Sequence, residues 1–246
     1  MMGNLDFKGE YKRHMPHIQP PGATFFITAR LAGSLPLSVL EQMAREKAAI
    51  YEQYATDLEL AERESERHWF RQYETQLHEA KSGPFWLREE PIAAVLAEAL
   101  HFSDQQLYRL DAFCIMPNHL HVVLMPLPTT PVPAGANMAR DGEGNIGYLQ
   151  RDAMGQQHFV KLDYYALAKI THRIKRRSAR ESNKLLGRAG EFWEHESYDH
   201  WIRDQEEWQR TVAYVRNNPV SAGLVKRWED WPWTYIREQN RNRPQS

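Results

Sequence analysis

Residues 37–80 contain neither glycine nor proline, and Ala, Glu, Leu, Arg and Gln dominate them. Such a stretch is one long helix or two in series, because these side chains lose little rotamer freedom in a helix and nothing interrupts the backbone ladder. The flanks are of the opposite kind. ATFFITARLA (residues 23–32) alternates and is rich in β-formers, so it reads as a strand entered from the turn QPPG (19–22). After a break at KSGPFWL (81–87), PIAAVLAEALHF (91–102) reads as a short helix with proline in its first turn. YRLDAFCIMP (108–117) and NHLHVVLMP (118–126) are two strands joined by a tight bend at Pro117 and Asn118. In residues 162–186 the apolar positions Leu162, Tyr165, Ala166, Ile170 and Ile174 fall at helical spacing. EFWEHESYDHWI (191–202) is a short strand or extended segment. Residues 203–219 form a helix stopped by Pro219, capped by Asp204 with Glu207 completing a capping box. AGLVKRWEDWPWTY (222–235) is a short last element, and the polar tail 239–246 is expected to fray.

Strand, helices, two strands, helix, strand, helix is the order of a ferredoxin-like split βαβ unit. The expected fold is therefore α+β: one domain over residues 1–246, with an antiparallel sheet, helices on one face, and a helical insertion (37–107) between the first two strands. Residues 126–160 are rich in Pro, Gly and polar residues without a clear period, and are expected to be a long flexible loop. No internal repeat is present.

The net charge of −1 says nothing about partners, but its distribution does. Residues 169–188 hold eight Lys or Arg and one acid, Glu181. A local basic stripe on a near-neutral chain marks a polyanion site, or else a solvated helix face. The single cysteine, Cys114, cannot form an internal disulfide; within AFCIM it reads as a buried, inert thiol, which fits a reducing compartment. No apolar run approaches the roughly 20 residues that cross a bilayer. MMGNLDFKGEYKRHMPH at the start has no apolar signal core. A soluble, cytoplasmic protein with no membrane partner is expected.

One short motif carries chemistry. In MPNHLHVVL (116–124), His119 and His121 are two residues apart on a predicted strand and so project from the same face, with Leu120 and Val122 on the other. Two neutral imidazoles side by side are a natural chelate for a divalent cation. The alternative is a pair of half-buried polar residues on a solvated sheet face. On the last long helix, Tyr214 and Asn218 are four apart and share a face. Asn218 offers an oxygen to a hard cation, although a tyrosine on an amphipathic helix is commonly core and an asparagine before proline commonly marks a helix end.

MPNHLHVVL, EFWEHESYDHWIRD and YVRNNPVSAGLV, in that order, together with PHIQPPGATFFITARLAGSLP (16–36), resemble the REP-associated tyrosine transposases. These are single-tyrosine members of the HUH class, named for His–bulky hydrophobic–His, that act on single-stranded DNA. The likeness spans residues 16–36 and most of 108–235; residues 37–107 and 126–160 look like expansions of a compact core. It implies that His119 and His121 are metal ligands with Leu120 between them, that Tyr214 is the nucleophile, and that Asn218 is a third, polar ligand. The implied cofactor is Mg2+ or Mn2+, and the implied substrate is single-stranded or hairpin DNA with REP-like palindromes, cut and rejoined through a 5′-phosphotyrosine intermediate. A phenol ionises at about 10, so it needs nearby positive charge to become a nucleophile; Arg210 and Arg216 are near Tyr214 in sequence. Lys169, Arg173, Arg176, Arg177 and Arg180 are candidates for gripping the phosphate backbone. Tyr164, Trp193, His195 and Tyr198 are candidates for stacking on unpaired bases, or for core positions. The implied assembly is a monomer or a homodimer.

Three other readings compete. A DNA-binding protein whose catalysis has lapsed would keep the same motifs. A histidine-triad nucleotide hydrolase would need a third histidine where Val123 stands. A structural zinc module would combine His119 and His121 with a distant His or Cys114, without the second close-spaced ligand pair such sites use.

Overall fold

The computed structural model describes residues 20–79 and 83–238. The expected absence of a signal core at the start and the frayed tail at the end lie outside the described residues. A five-stranded sheet forms the centre, built from β1 (Thr24–Arg30), β2 (Tyr108–Ile115), β3 (His119–Pro126), β7 (Tyr198–Ile202) and β8 (Thr234–Ile236) in the order β7-β1-β3-β2-β8. All neighbours are antiparallel. The first four strands have the ferredoxin-like arrangement, and β8 extends it beside β2. The turn between β2 and β3 is the expected bend at Pro117 and Asn118, closed by the Met116 N–H on the His119 carbonyl at 2.8 Å.

Period-two patterning divides the sheet's two faces. Phe25, Ile27 and Ala29 of β1, and Leu120, Val122 and Leu124 of β3, point into one core. Against it pack the two crossover helices, α3 (Glu90–Phe102) and α4 (Leu167–Leu185). Phe26 and Val123 point the other way, into a second core closed by α5 (Gln205–Ser221) through Trp208, Val212 and Val215. The α+β antiparallel architecture is present. Helices cover both faces, however, where one was expected: the crossover pair takes one and α5 the other.

The breaker-free stretch forms two helices, α1 (Leu37–Gln53) and α2 (Leu58–Glu79). They close a small core of Leu35, Met43, Tyr73 and Leu77. α2 also reaches the sheet, where Phe70 meets Phe26, Tyr198 and Tyr214 edge-on or stacked. The expected insertion of 37–107 is thus shorter as an insertion, since its last part, α3, belongs to the ferredoxin-like core.

Residues 126–160 are not an irregular loop. β4 (Asn137–Arg140), β5 (Ile146–Arg151) and β6 (Gln157–Lys161) form a separate three-stranded antiparallel sheet. Asp141 and Asp152 organise its two turns by accepting backbone N–H groups, Asp141 from Glu143 and Asn145, and Asp152 from Met154 and Gln156. The other departure is α5, which runs through Pro219 to Ser221. A proline in the last turn forgoes a single helical hydrogen bond, and the turn closes through Ala222 N–H on the Asn218 carbonyl at 2.9 Å. The predicted cap is present, with Asp204 accepting the Glu207 N–H at 2.8 Å.

Candidate metal centre and neighbouring tyrosine

His119 and His121 lie side by side on β3, on the face covered by α5 and α2, opposite Arg30 and Thr28 of β1. They are 1% and 0% exposed, which removes the reading of polar residues on a solvated sheet face. Each ring is held by a second residue. Asn118 donates through Nδ2 to the Leu77 carbonyl of α2 at 2.9 Å, which turns its Oδ1 to His119 Nδ1 at 2.7 Å. An amide oxygen only accepts, so the His119 proton is on Nδ1 and its Nε2 presents a lone pair. His121 Nδ1 is 2.9 Å from Thr28 Oγ1; a proton there leaves His121 Nε2 equally bare. The two Nε2 atoms face each other at 3.1 Å.

The helical insertion adds what sequence reasoning missed. Glu74 and His78 of α2 project into the same space, and one donor atom from each of Glu74, His78, His119 and His121 lies within 4.8 Å of the others. Glu74 Oε2 is 3.1 Å from His121 Nε2 and accepts the Tyr214 hydroxyl. His78 Nε2 is 3.8 Å from Glu74 Oε2 and 3.1 Å from Asn218 Oδ1. So the structure brings His119, His121, Tyr214 and Asn218 together, as their motifs imply, with Glu74 and His78 among them. Cys114 lies outside this set: its thiol contacts Met116 and Thr234, and burial pushes its pKa up to about 12.

The electrostatics are those of an anion caged by imidazoles. Burial alone would raise the Glu74 carboxyl; positive charge among the facing imidazoles, His121 first, and the Tyr214 hydroxyl outweigh it and hold its pKa at about 2. Burial, then His121, keeps His119 neutral, well below the usual imidazole range. Burial also lowers His78. Tyr214 is driven far above an ordinary phenol, first by burial and then by the Glu74 charge, so it is protonated in this arrangement. Bare nitrogens and a carboxylate at 3.1 Å repel one another unless a proton or cation lies between them. Glu74 Oε1 and Asn218 Nδ2 are buried with no hydrogen-bond partner among the described residues. The donor set therefore fits a divalent cation.

The other predicted residues lie elsewhere. Lys169, Arg173, Arg176, Arg177 and Arg180 are all on α4, whose packing face is the core beneath Leu120 and Val122, on the far side of the sheet from the imidazoles. Arg177 is tied down over Phe102 at 4.0 Å and to Glu98 at 2.7 Å, whereas Arg176 is exposed. Trp193 is core, its indole N–H bound to Ser178 Oγ at 2.9 Å. Tyr198 is stacked on Phe70 and Trp69, Tyr164 is half-buried, and His195 is exposed. Arg210 pairs with Glu206 and Arg216 lies over Trp228, so neither is shown beside the Tyr214 hydroxyl.

No protein-family model matches the chain. A curated relative from Haemophilus influenzae, which carries the provisional name REP-associated tyrosine transposase, is 27% identical over 123 residues. That match takes in 50% of this chain and 56% of the relative, little more than half of its length. A solved structure of a REP-associated tyrosine transposase bound to a REP hairpin aligns over 92% of this chain and 81% of its own, with 15% identity and a TM-score of 0.41. Among the described residues no helix is long and apolar enough to cross a membrane. By sequence the chain is similar, over half its length, to a REP-associated tyrosine transposase, the family that its histidine and tyrosine motifs resemble.

Proposed function

We propose that the protein is a transposase-type nuclease that cuts and rejoins single-stranded DNA at hairpin-forming, REP-like palindromes. Tyr214 is its nucleophile, and Mg2+ or Mn2+ is its cofactor, held by His119 and His121 with Asn218 nearby. One observation carries this reading: the Tyr214 hydroxyl from α5 and the His121 imidazole of β3 meet on a single carboxylate, Glu74, with His119 Nε2 3.1 Å from His121 Nε2. Bound there, the cation would supply the positive charge that neutralises a non-bridging oxygen of the scissile phosphate. The imidazole-rich donor set favours Mn2+ over Mg2+.

The chain's own groups supply the rest. Tyr214 Oη attacks phosphorus, and the bond from phosphorus to the 3′ oxygen breaks. The 5′ phosphate remains on the tyrosine and a 3′-hydroxyl is released. The phenolic proton, held by Glu74 before attack, is lost as the new bond to phosphorus forms, and the departing 3′ oxygen takes up a proton in turn. One phosphate ester replaces another, so the joining step can run in reverse without a nucleotide cofactor. The basic side chains of α4 are given the stem phosphates, with the unpaired strand reaching the imidazole face. The similarity to the Haemophilus influenzae relative supports this reading.

The test is incubation of the full chain with end-labelled single-stranded hairpin DNA from the flanks of its own gene, with Mn2+, followed by a denaturing gel. A covalent protein–DNA adduct is expected, and Tyr214→Phe should abolish it while leaving hairpin binding in place. An undiminished adduct from Tyr214→Phe would transfer the role to Tyr164, Tyr165 or Tyr198. Binding without any cleavage would mark a DNA-binding protein whose catalysis has lapsed.

A further inference from the structure

Glu74 and His78 occupy positions i and i+4 of α2, so they share one helix face. That face is fixed by three contacts. The Leu77 carbonyl accepts from Asn118 at 2.9 Å, Phe70 lies one turn earlier against Tyr214 and Phe26, and Tyr73 and Leu77 seal against Leu35 and Met43. With its register set in this way, α2 delivers a carboxylate and an imidazole to the twin histidines. Burying a carboxylate is strongly unfavourable unless opposite charge compensates, and an apolar side chain would fill the same space without that cost. Glu74 Oε1 is nevertheless buried without a partner among the described residues.

The spacing of the donors is informative. His119 Nε2 to His121 Nε2 and His121 Nε2 to Glu74 Oε2 are each 3.1 Å, and His78 Nε2 stands 3.8 Å from Glu74 Oε2. Adjacent ligand atoms around an octahedral ion with bonds of about 2.1 Å stand about 3.0 Å apart. We propose that the inserted helix completes the cation site, with Glu74 and His78 joining His119 and His121 as ligands. This rests on the cation reading above and adds to the residues that do the holding; Asn218 lies beside His78, its Oδ1 3.1 Å from His78 Nε2. Two ligands come from the sheet and two from a segment outside the ferredoxin-like core, so the insertion is part of the centre and not padding around it.

Binding of Mn2+ and Co2+ to the full chain, measured by titration calorimetry and by the visible absorption of Co2+, tests the assignment without DNA or turnover. One equivalent is expected to bind. Glu74→Gln and His78→Gln keep the side-chain size and should each weaken binding about tenfold or more and alter the Co2+ bands. Thr75→Ala, on the exposed face of the same helix, should change neither; melting curves of each variant confirm folding. If Glu74→Gln and His78→Gln bind as the parent does while His119→Ala does not, the helix only covers the site and the inference falls, with the twin-imidazole centre intact. If the parent chain binds no divalent cation, the inference falls together with the metal-dependent reading on which it rests.

Discussion

Thr28 shows how much of the centre depends on residues that never touch a substrate. Its hydroxyl is fully buried and lies 2.9 Å from His121 Nδ1, so it fixes the orientation of that ring and with it the direction of Nε2. Thr28→Val preserves shape and removes the oxygen. Cation affinity is expected to fall about 10–100-fold, with the melting temperature of the metal-free chain little changed, as calorimetry and a thermal melt would read. A stability loss without an affinity loss would make Thr28 a packing residue only. The histidine pair was legible in the sequence because a two-residue period on a strand has one geometric meaning, and Leu120 and Val122 confirm it by entering the opposite core. Tyr214 was legible only through the company of its motif, since a tyrosine on an amphipathic helix is otherwise unremarkable. Glu74 and His78 were not legible at all. In α2 they are one acid and one histidine among Glu59, Glu62, Glu64, Glu66, His68 and Glu79. Only the docking of the helix, by Phe70, Tyr73 and Leu77, singles them out.

At the scale of elements, strongly patterned segments appear where expected and weakly buried ones do not. β1 and β3 bury nearly every residue, and their alternation is set by two separate cores. β4 and β6 are mostly exposed, so neither face carries an apolar period, and the turns that join the meander supplied the Gly-rich composition of a loop. The signal for β4–β6 lay instead in the aspartates at its turns, which hold the backbone by hydrogen bonds that hydrophobic patterning does not register. Helix α4 carries a different distinction. Its basic residues look alike in sequence, yet Arg177 is spent on Phe102 and Glu98 while Arg176 projects into solvent. Arg176→Ala should therefore weaken hairpin binding evenly across DNA sequences and lower the slope of log affinity against log salt by about one. Arg177→Ala should instead show mainly as a loss of thermal stability. Filter binding at several salt concentrations separates the two; equal salt slopes for both variants and the parent would take α4 out of the DNA interface.

The arrangement of the whole molecule follows from which side of the sheet each helix takes. Sequence order gave the ferredoxin-like topology, but it carries no term for the face on which an inserted hairpin settles. The basic stripe and the histidines therefore lie on two surfaces, divided by the sheet. The α1–α2 hairpin is weakly held beside the main fold, since its own core has four buried residues against more than twenty in the core under α3 and α4. Small units of this kind open locally at a lower free energy than the main core. A cation gripped between α2 and β3 would bind only the docked state and so oppose that opening, by about 2.7 kcal/mol at a hundredfold excess over its dissociation constant. Hydrogen exchange followed by mass spectrometry, with and without Mn2+ at that excess, should then show amides of residues 58–79 slowed about 100-fold where they exchange through undocking. Amides of α4 serve as the internal reference, because that helix packs on the opposite face and shares no ligand with the site. Slowing across both helices alike would mean that the ion stabilises the fold as a whole, and no slowing in α2 despite bound Mn2+ would place the ion on the sheet residues alone.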